Sequence, residues 1–400
     1  MTKLEQLINE LCPNGVEEKK LGDIATVSRG GNFQKKDYVE NGVPCIHYGQ
    51  IYTQYGLFVD KTISFISEEK ASKQKKAVKN DVIMAVTSEN IDDVCRCVAW
   101  LGDEAVAVSG HTAIIHHTIN PKYLVYFLHS TMFYKQKTKL AHGTKVIEVT
   151  PDKLLDIMLP VPPAEVQSEI VRILDNFTEL TAELTAELTA RKKQYEHYTY
   201  QLLTFDDTVN TQKLRDLIDF RNGKGHEKDI VDDGKYIVVN SKFISTNGEV
   251  KKYSNKQICP LYIDDILMVM SDLPNGRALA KCYLVTEDDK YTLNQRIGAF
   301  HVKDESVIIT KFLLYVLNRN HQLLRYDNGV DQTNLRKDDI LDIMIPVPSI
   351  EEQKRIVAIL DCFDTLCSDI SAGLPAEIEA RQKQYEYYRD KLLTFKEASV

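Results

Sequence analysis

Two short stretches of this sequence mix glycine with basic and polar side chains in a way that suits contact with an anionic polymer. SRGGNFQKKDY carries Arg29, Lys35 and Lys36, and FRNGKGHEKD carries Arg221, Lys224 and His226. Each follows a similar lead-in, KLGDI or KLRDL, so the two lie at matching places. Glycine allows close backbone approach to a phosphate or a base edge, and the basic groups supply the opposite charge. A second pair of segments, IHYGQIY at 46–52 and VVNSKFI at 238–244, sets Tyr48, Gln50, Asn240, Ser241 and Lys242 among β-branched and aromatic residues. Amides pair with adenine and basic groups with guanine, which makes these five candidate readers of base edges. A third pair places Ser109, His111 and Thr112 against Asn294, Gln295 and Arg296, with Arg296 polar and basic in an otherwise apolar strand. Lys145 and Gln332 stand beside Gly143 and Gly329, which are 186 residues apart. The plain alternative for each group is a solvated turn, or a strand residue satisfying a local hydrogen bond. The run Lys70, Lys73, Lys75, Lys76 and Lys79 reads as a solvated face.

Other chemistry is poorly represented. The eight cysteines form no CxxC pair and no histidine has metal-ligand spacing, so reduced, mostly buried thiols are expected and no metal site. His116-His117, at a strand end, reads as structural. There is no GxxxxGK[ST] phosphate loop for a nucleotide motor. There is no Asn/Asp-Pro-Pro-aromatic tetrapeptide of the amino-methyltransferase type, and Asp272-Leu273-Pro274-Asn275, the nearest candidate, reads as a turn. No carboxylates cluster with lysine at nuclease spacing. These absences argue against an autonomous enzyme.

The elements that must position the candidate readers are themselves repeated. Residues 154–177 match 340–363 at 15 of 24 sites, and 191–205 match 381–395 at 10 of 15. Each repeat opens as a short hydrophobic strand, turns at prolines and continues as a long helical pattern. Ser349 followed by Glu352 is a capping-box signature, while Pro162-Pro163 fixes the other start. From Ala164 to Phe205 apolar residues recur at three- and four-residue spacing, predicting one helix whose stripe needs a partner. The second copy supplies one in the same chain, and an antiparallel pair would hold two modules apart. Gly373-Leu374-Pro375 is expected to kink or break that second helix. Between the repeats, 21–150 reads mostly as strands, with one helix at Pro121–Thr138, and the segment from Leu214 repeats the plan with little identity. The expected organisation is an N-terminal segment 1–20, a module at 21–153, a helical region 154–212, a second module at 213–339 and a helical region 340–400. The fold class expected is α+β, with two mixed α/β modules joined by two long antiparallel helices in a pseudo-twofold repeat.

The formal net charge of −8 is unevenly spread. Residues 21–150 and 213–338 each sum to +2, which leaves −12 for the N-terminal tip and the repeated stretches. Slightly basic modules on an acidic frame can bind phosphate where their basic groups share a face. No apolar run approaches 18 residues and Met1–Gly15 lacks a signal-peptide pattern, so a cytoplasmic location and no membrane association are expected.

IMLPVPPAEVQSEIVRIL and IMIPVPSIEEQKRIVAIL, two proline turns each followed by a Glu/Gln-bearing helix, flank two dissimilar modules. With the tetrapeptide Thr-Ala-Glu-Leu twice over at Thr181–Leu188, this arrangement resembles the specificity subunit of type I restriction–modification systems along the whole chain. The matching positions are Pro160, Pro162, Glu165, Gln167 and Ile170, with Pro346, Pro348, Glu351, Gln353 and Ile356. The resemblance implies that each module is a target recognition domain reading half of a bipartite double-stranded DNA site. It implies that the helices set the spacing and that the matching positions dock two methyltransferase subunits, with two restriction subunits joining the full complex. It also implies no cofactor here: S-adenosylmethionine, ATP and magnesium belong to the partners, which carry out adenine methylation and ATP-dependent cleavage. From Phe177 to Arg191 is 14 residues, whereas from Phe363 to Arg381 is 18. One tetrapeptide adds about 6 Å and about 40° to a helix, and at about 3.4 Å per base pair that is roughly one or two base pairs of spacer. The alternative left open is a helical scaffold whose two modules bind something other than DNA.

Overall fold

The computed structural model describes residues 2–274, 276–368 and 373–397. The chain forms two compact units, one of Met1–Ala186 with Ala376–Val400, the other of Glu187–Pro375. Each therefore combines a module with helical segments from both repeats.

Unit 1 begins with α1 (Lys3–Leu11), whose Thr2 and Glu5 cap each other's backbone before Cys12-Pro13 ends it. β1 (Glu18–Lys20) pairs antiparallel with Met158–Pro160. Next come β2 (Ala25–Arg29), β3 (Val43–Ile46), α2 (Tyr48–Thr53), β4 (Phe58–Val59), β5 (Val82–Ala85), β6 (Cys97–Trp100), β7 (Val106–Val108) and β8 (Thr112–His117). The main sheet has the order β2-β8-β5-β6-β4, antiparallel except for the parallel β6–β4 edge. A second five-stranded sheet is built around β3 and β7. β5 is buried throughout because one face meets the helices and the other this second sheet.

The helix expected at Pro121–Thr138 is two helices, α3 (Pro121–Leu128) and α4 (Thr131–Leu140). Asn120 caps the first and Ser130 the second, its Oγ accepting from the Phe133 N–H at 3.2 Å, so the polar pair His129-Ser130 splits the run. After β9 (Met158–Pro160) comes α5 (Ala164–Leu203), one uninterrupted helix of 40 residues. Through the tetrapeptide run, the Thr181 and Thr185 hydroxyls donate to the carbonyls four residues back, at 2.9 and 2.8 Å.

Unit 2 repeats the plan. Its elements are β10 (Thr211–Lys213), β11 (Ile218–Asn222), β12 (Tyr236–Val239), α6 (Ser241–Ser245), β13 (Ile266–Val269), β14 (Cys282–Leu284), β15 (Tyr291–Leu293) and β16 (Ile297–Val302). α7 (Thr310–Leu317), α8 (His321–Leu324), β17 (Met344–Pro346) and α9 (Ile350–Ser368) complete it. Among the described residues the main sheet here has four strands, β11-β16-β13-β14. The Ser349 hydroxyl accepts from the Glu352 N–H at 3.3 Å and opens α9. α9 is described to Ser368; beyond the bend at Gly373, α10 (Leu374–Leu392) starts with Pro375 in its first turn, so the second repeat is two helices.

Inside each unit the two repeats meet in the same way. Phe177 of α5 stacks on Tyr388 of α10 in unit 1, with ring centroids 5.4 Å apart. In unit 2, Phe363 of α9 stacks on Tyr198 of α5 at 5.5 Å. Gly143 and Gly329 both sit in the left-handed region, with φ of 108° and 68°, at matching points of the two modules. Among the described residues no helix is long and apolar enough to cross a membrane, and no cluster of His, Cys, Asp or Glu is placed to hold a metal ion.

Candidate nucleic-acid interface

In each unit the loop after the first main-sheet strand meets the turn that opens the strand beside it. Gly31 N–H donates to the Val108 carbonyl at 2.8 Å in unit 1, and Lys224 N–H to the Leu293 carbonyl at 3.2 Å in unit 2. The carbonyl of His111 accepts from Val86 N–H at 3.0 Å, and that of Arg296 from Met270 N–H at 2.9 Å. His111 and Arg296 thus hold equivalent positions with different chemistry, Arg296 in a left-handed conformation with φ of 68°.

β3 is followed by His47, whose Nδ1 accepts from the Gly49 N–H at 3.2 Å and opens α2. β12 is followed by Asn240, whose side-chain oxygen accepts from the Phe243 N–H at 2.9 Å and opens α6. The segments 46–52 and 238–244 are therefore strand-to-helix turns, with Ser241 and the exposed Lys242 in the first turn of α6.

In unit 1 a cavity of about 490 Å³ is lined by Arg29, Phe33, Gln34, His47, Tyr48 and His111, together with Gly30, Asn32 and Gly110. Arg29, Tyr48 and His111 were expected here from sequence; Asn32, Phe33, Gln34 and His47 were not singled out, although all four lie inside the quoted segments. The Tyr48 ring lies 5.0 Å from that of His111 and 4.5 Å from that of His47. Thr87 Oγ1 holds His111 Nδ1 at 3.2 Å, and His111 is exposed. Burial, with Lys35 and His111 nearby, pushes His47 below the ordinary histidine range, so it presents a neutral ring. Lys35 and Lys36 form an exposed 3-10 turn next to this cavity, and Lys145 is exposed on the loop leading to Ile147–Glu148.

In unit 2 the exposed residues Lys224, Gln295 and Arg296 come together, with the Gln295 N–H donating to the Lys224 carbonyl at 3.0 Å. Gln295 Nε2 also donates to Glu227 at 2.8 Å. Gln332 reaches across to Ser271 Oγ at 2.7 Å. The Asn294 N–H donates to the Val239 carbonyl at 3.1 Å, which brings the Asn240–Lys242 turn beside Arg296.

Several expected contact residues are corrected. Gln50 is buried, bonding the His47 N–H and Ser64 Oγ, and Thr112 is fully buried on the Ser109 carbonyl. His226 is fully buried, holding the Lys224 carbonyl at 2.7 Å and Thr292 Oγ1 at 2.9 Å, so it shapes the loop that carries Lys224. Arg29 is exposed but paired to Glu148 at 2.8 Å. Arg221 pairs with the buried Asp265 and the Pro260 carbonyl, which braces the sheet. Asp272 Oδ2 accepts from the Ala278 and Leu279 N–H groups, as a turn would; Asn275 lies outside the described residues.

The implied docking positions divide in the same way. Pro160, Pro162, Gln167 and Ile170 are buried in unit 1, and Gln353 and Ile356 in unit 2, while Pro346 and Pro348 are half-buried. The Gln167 oxygen accepts from the Asn120 N–H at 2.9 Å and its nitrogen donates to the Pro162 carbonyl at 2.7 Å. The Gln353 oxygen accepts from the Ile309 N–H at 2.8 Å and its nitrogen donates to the Pro348 carbonyl at 2.9 Å. Both amides are internal clamps between the proline turn and the approach to α3 or α7. Only Glu165 and Glu351 of these positions are exposed.

Two similar scaffolds offering different polar loops match a described class. The family model for the type I restriction modification DNA specificity domain matches residues 13–191 and again 206–380, and the chain belongs to that family. The Escherichia coli type I restriction enzyme EcoR124I/EcoR124II specificity subunit is 34% identical over 294 residues, covering 68% of this chain and 70% of that one. A putative type I restriction enzyme specificity subunit of Haemophilus influenzae is 31% identical over 316 residues, covering 74% and 76%. The crystal structure of a type I system S subunit from M. genitalium matches the fold with a TM-score of 0.53 at 15% identity, over 98% of this chain and 99% of that one. A chain from a structural study of type I complex assembly matches with a TM-score of 0.64 at 16% identity, over 96% and 98%.

Proposed function

We propose that this chain is the non-catalytic DNA-recognition subunit of a type I restriction–modification complex, each module reading one half of a bipartite site. The observation that carries the reading is the equivalence of His111 and Arg296: one scaffold position, two side chains, each beside a polar strand-to-helix turn. The aromatic cluster at Tyr48, His47 and His111 favours packing on base edges. The exposed Arg296, flanked by Gln295 and Lys242, favours a bidentate contact to guanine. Lys35, Lys36, Lys145 and Lys224 supply phosphate contacts. Chemistry resides in the partners: two methyltransferase subunits that bind S-adenosylmethionine, and two restriction subunits that use ATP and magnesium. The tetrapeptide run in α5 sets the separation of the half-sites, and the exposed Glu165 and Glu351 face the methyltransferase subunits.

Methylation mapping of the chain reconstituted with its methyltransferase tests this. Arg296→Ala should relax one position of one half-site, costing about 1–3 kcal/mol of discrimination there, and leave the other half-site unchanged. Adding one Thr-Ala-Glu-Leu unit should lengthen the spacer and preserve both half-sites. Altered bases in both halves after either change would refute the assignment. DNA binding that does not weaken as salt rises would favour the alternative, modules for a ligand other than DNA.

A further inference from the structure

We infer that unit 2 carries an acceptor site for an extended peptide segment of a partner protein, which adds as a parallel strand to the free edge of β14. The proposal is independent of DNA reading and rests on a difference between the two main sheets.

In unit 1 the edge strand β6 is covered by β4 of the same unit. The Ala99 N–H donates to the Leu57 carbonyl at 3.0 Å and the Leu101 N–H to the Val59 carbonyl at 2.7 Å. Phe58, between them, sits on Tyr126 with centroids 5.4 Å apart, and Lys122 Nζ lies 4.7 Å from its ring. The Tyr126 hydroxyl donates to Asp175 at 2.6 Å, and Lys122 pairs with the same carboxylate.

Unit 2 keeps this seat but, among the described residues, has no strand in it. The Tyr315 hydroxyl donates to Asp361 at 2.6 Å and Lys311 pairs with the same carboxylate at 2.6 Å. The connection that holds β4 in unit 1 runs over 54–64, between α2 and Phe65–Ile66. Its counterpart, between α6 and Tyr253–Ser254, spans only 246–252 and is too short to reach the edge. A cavity of about 630 Å³ remains, lined by Tyr195, Tyr283, Leu284, Lys311, Tyr315 and Asp361 among others.

The backbone register agrees with this reading. The Val285 N–H bonds the Asp265 carbonyl at 3.0 Å as the Trp100 N–H bonds the Asp81 carbonyl at 2.8 Å, so Leu284 and Thr286 match Ala99 and Leu101. Alternation along an antiparallel strand turns Cys282, Leu284 and Thr286 away from β13. The Cys282 N–H is taken by the Asn318 side chain at 3.0 Å. The other two, Leu284 and Thr286, have no backbone partner among the described residues and are the equivalents of the two that bind β4. An edge with unused backbone donors beside a side-chain pocket is the arrangement that recognises peptides by strand addition. The occupant of unit 1 defines the chemistry: an aliphatic–aromatic–aliphatic triplet, its ring under the Lys311 ammonium.

The test titrates a labelled peptide with the sequence of residues 54–64, QYGLFVDKTIS, against the full chain by fluorescence anisotropy. Saturable binding is expected, weakened at least tenfold when the peptide carries Phe58→Ala. Leu284→Pro in the chain removes an edge donor while proline remains tolerated at an edge, and it should weaken binding at least tenfold. Lys311→Glu changes the seat without touching the strand and should do the same. Absence of saturation, equal affinity for the two peptides, or binding indifferent to both chain variants would overturn the proposal. The last outcome includes a peptide that exchanges with β4 in unit 1.

Discussion

In unit 1 the first turns of α5 meet α1 through the Lys3–Glu169 ion pair at 2.8 Å, with Val166 and Glu169 buried, whereas the matching turn of α9 carries Glu352 and Arg355 at the surface. Arg172 and Lys3 hold the Glu169 carboxyl down at about 2, and in unit 2 Arg355 holds Glu352 below the ordinary carboxylate range. The same inequality recurs at the sheet edge, where β4 covers β6 and, among the described residues, no strand of unit 2 covers β14. One backbone plan thus carries two sets of coverings, and the side chains beneath differ to suit. Burial at a repeated position follows from what lies over it, so equivalent residues need not be interchangeable.

Exchanging equivalent residues is the hardest test of that rule. Val166→Glu, which installs the unit 2 residue, places an unpaired carboxylate in the unit 1 core and should cost about 3–5 kcal/mol. Glu352→Val, the reverse change at a half-buried surface site, should stay within about 0.5 kcal/mol. The single tryptophan, Trp100, is buried in unit 1, so its emission in a urea titration follows that unit alone. Comparable losses from the two exchanges would mean that α1 does not distinguish the units.

The clamps probe what the units share. Gln167→Glu and Gln353→Glu each keep an acceptor for the backbone N–H and turn the donor facing a proline carbonyl into a second acceptor. Each should cost about 2–3 kcal/mol. Gln167→Glu should move the Trp100 transition, while Gln353→Glu should leave it in place and shift an earlier phase seen by far-ultraviolet circular dichroism. A Trp100 transition equally sensitive to both would show that the units unfold together.

These clamps also mark where the sequence stopped being informative. The family resemblance names Gln167 and Gln353 as docking positions, but their partners inside the fold, Asn120 and Ile309, lie more than forty residues earlier in the chain, and no local pattern connects them. The repeated helices were readable because the apolar stripe is local, and so was the break at Gly373–Pro375 because proline acts on its own turn. The division of Pro121–Thr138 was also local, through the capping residue Ser130, yet the run of apolar periodicity concealed it. In the polar loops, residue type alone did not separate His226, which is buried and braces a loop, from Lys224, which that loop exposes. The free edge of β14 was least visible, since it depends on a connection being too short.

The smallest contrast concerns the residue that follows the eight-residue helix of each unit, His129 after α3 and Asn318 after α7. His129 Nδ1 bonds the Val125 carbonyl at 2.8 Å, and burial pushes the ring down to about 4. The unfolded chain, with an ordinary histidine near 6.5, takes up a proton before the folded unit does. The stability of unit 1 at this position is therefore complete above pH 6.5 and is lost as pH falls toward 4. About 1 kcal/mol should go over the first pH unit below 6.5. Asn318 does not titrate, so unit 2 has no such loss there. His129→Asn gives unit 1 the residue of its counterpart, whose amide can still donate to the Val125 carbonyl. The Trp100 urea midpoint at pH 5.5 should then approach its value at pH 7, narrowing the gap by about 1 kcal/mol. A variant whose midpoint falls with acidification as steeply as the parent's would place the acid sensitivity of unit 1 elsewhere, with His117, which burial also pushes below the ordinary histidine range, the next group to vary.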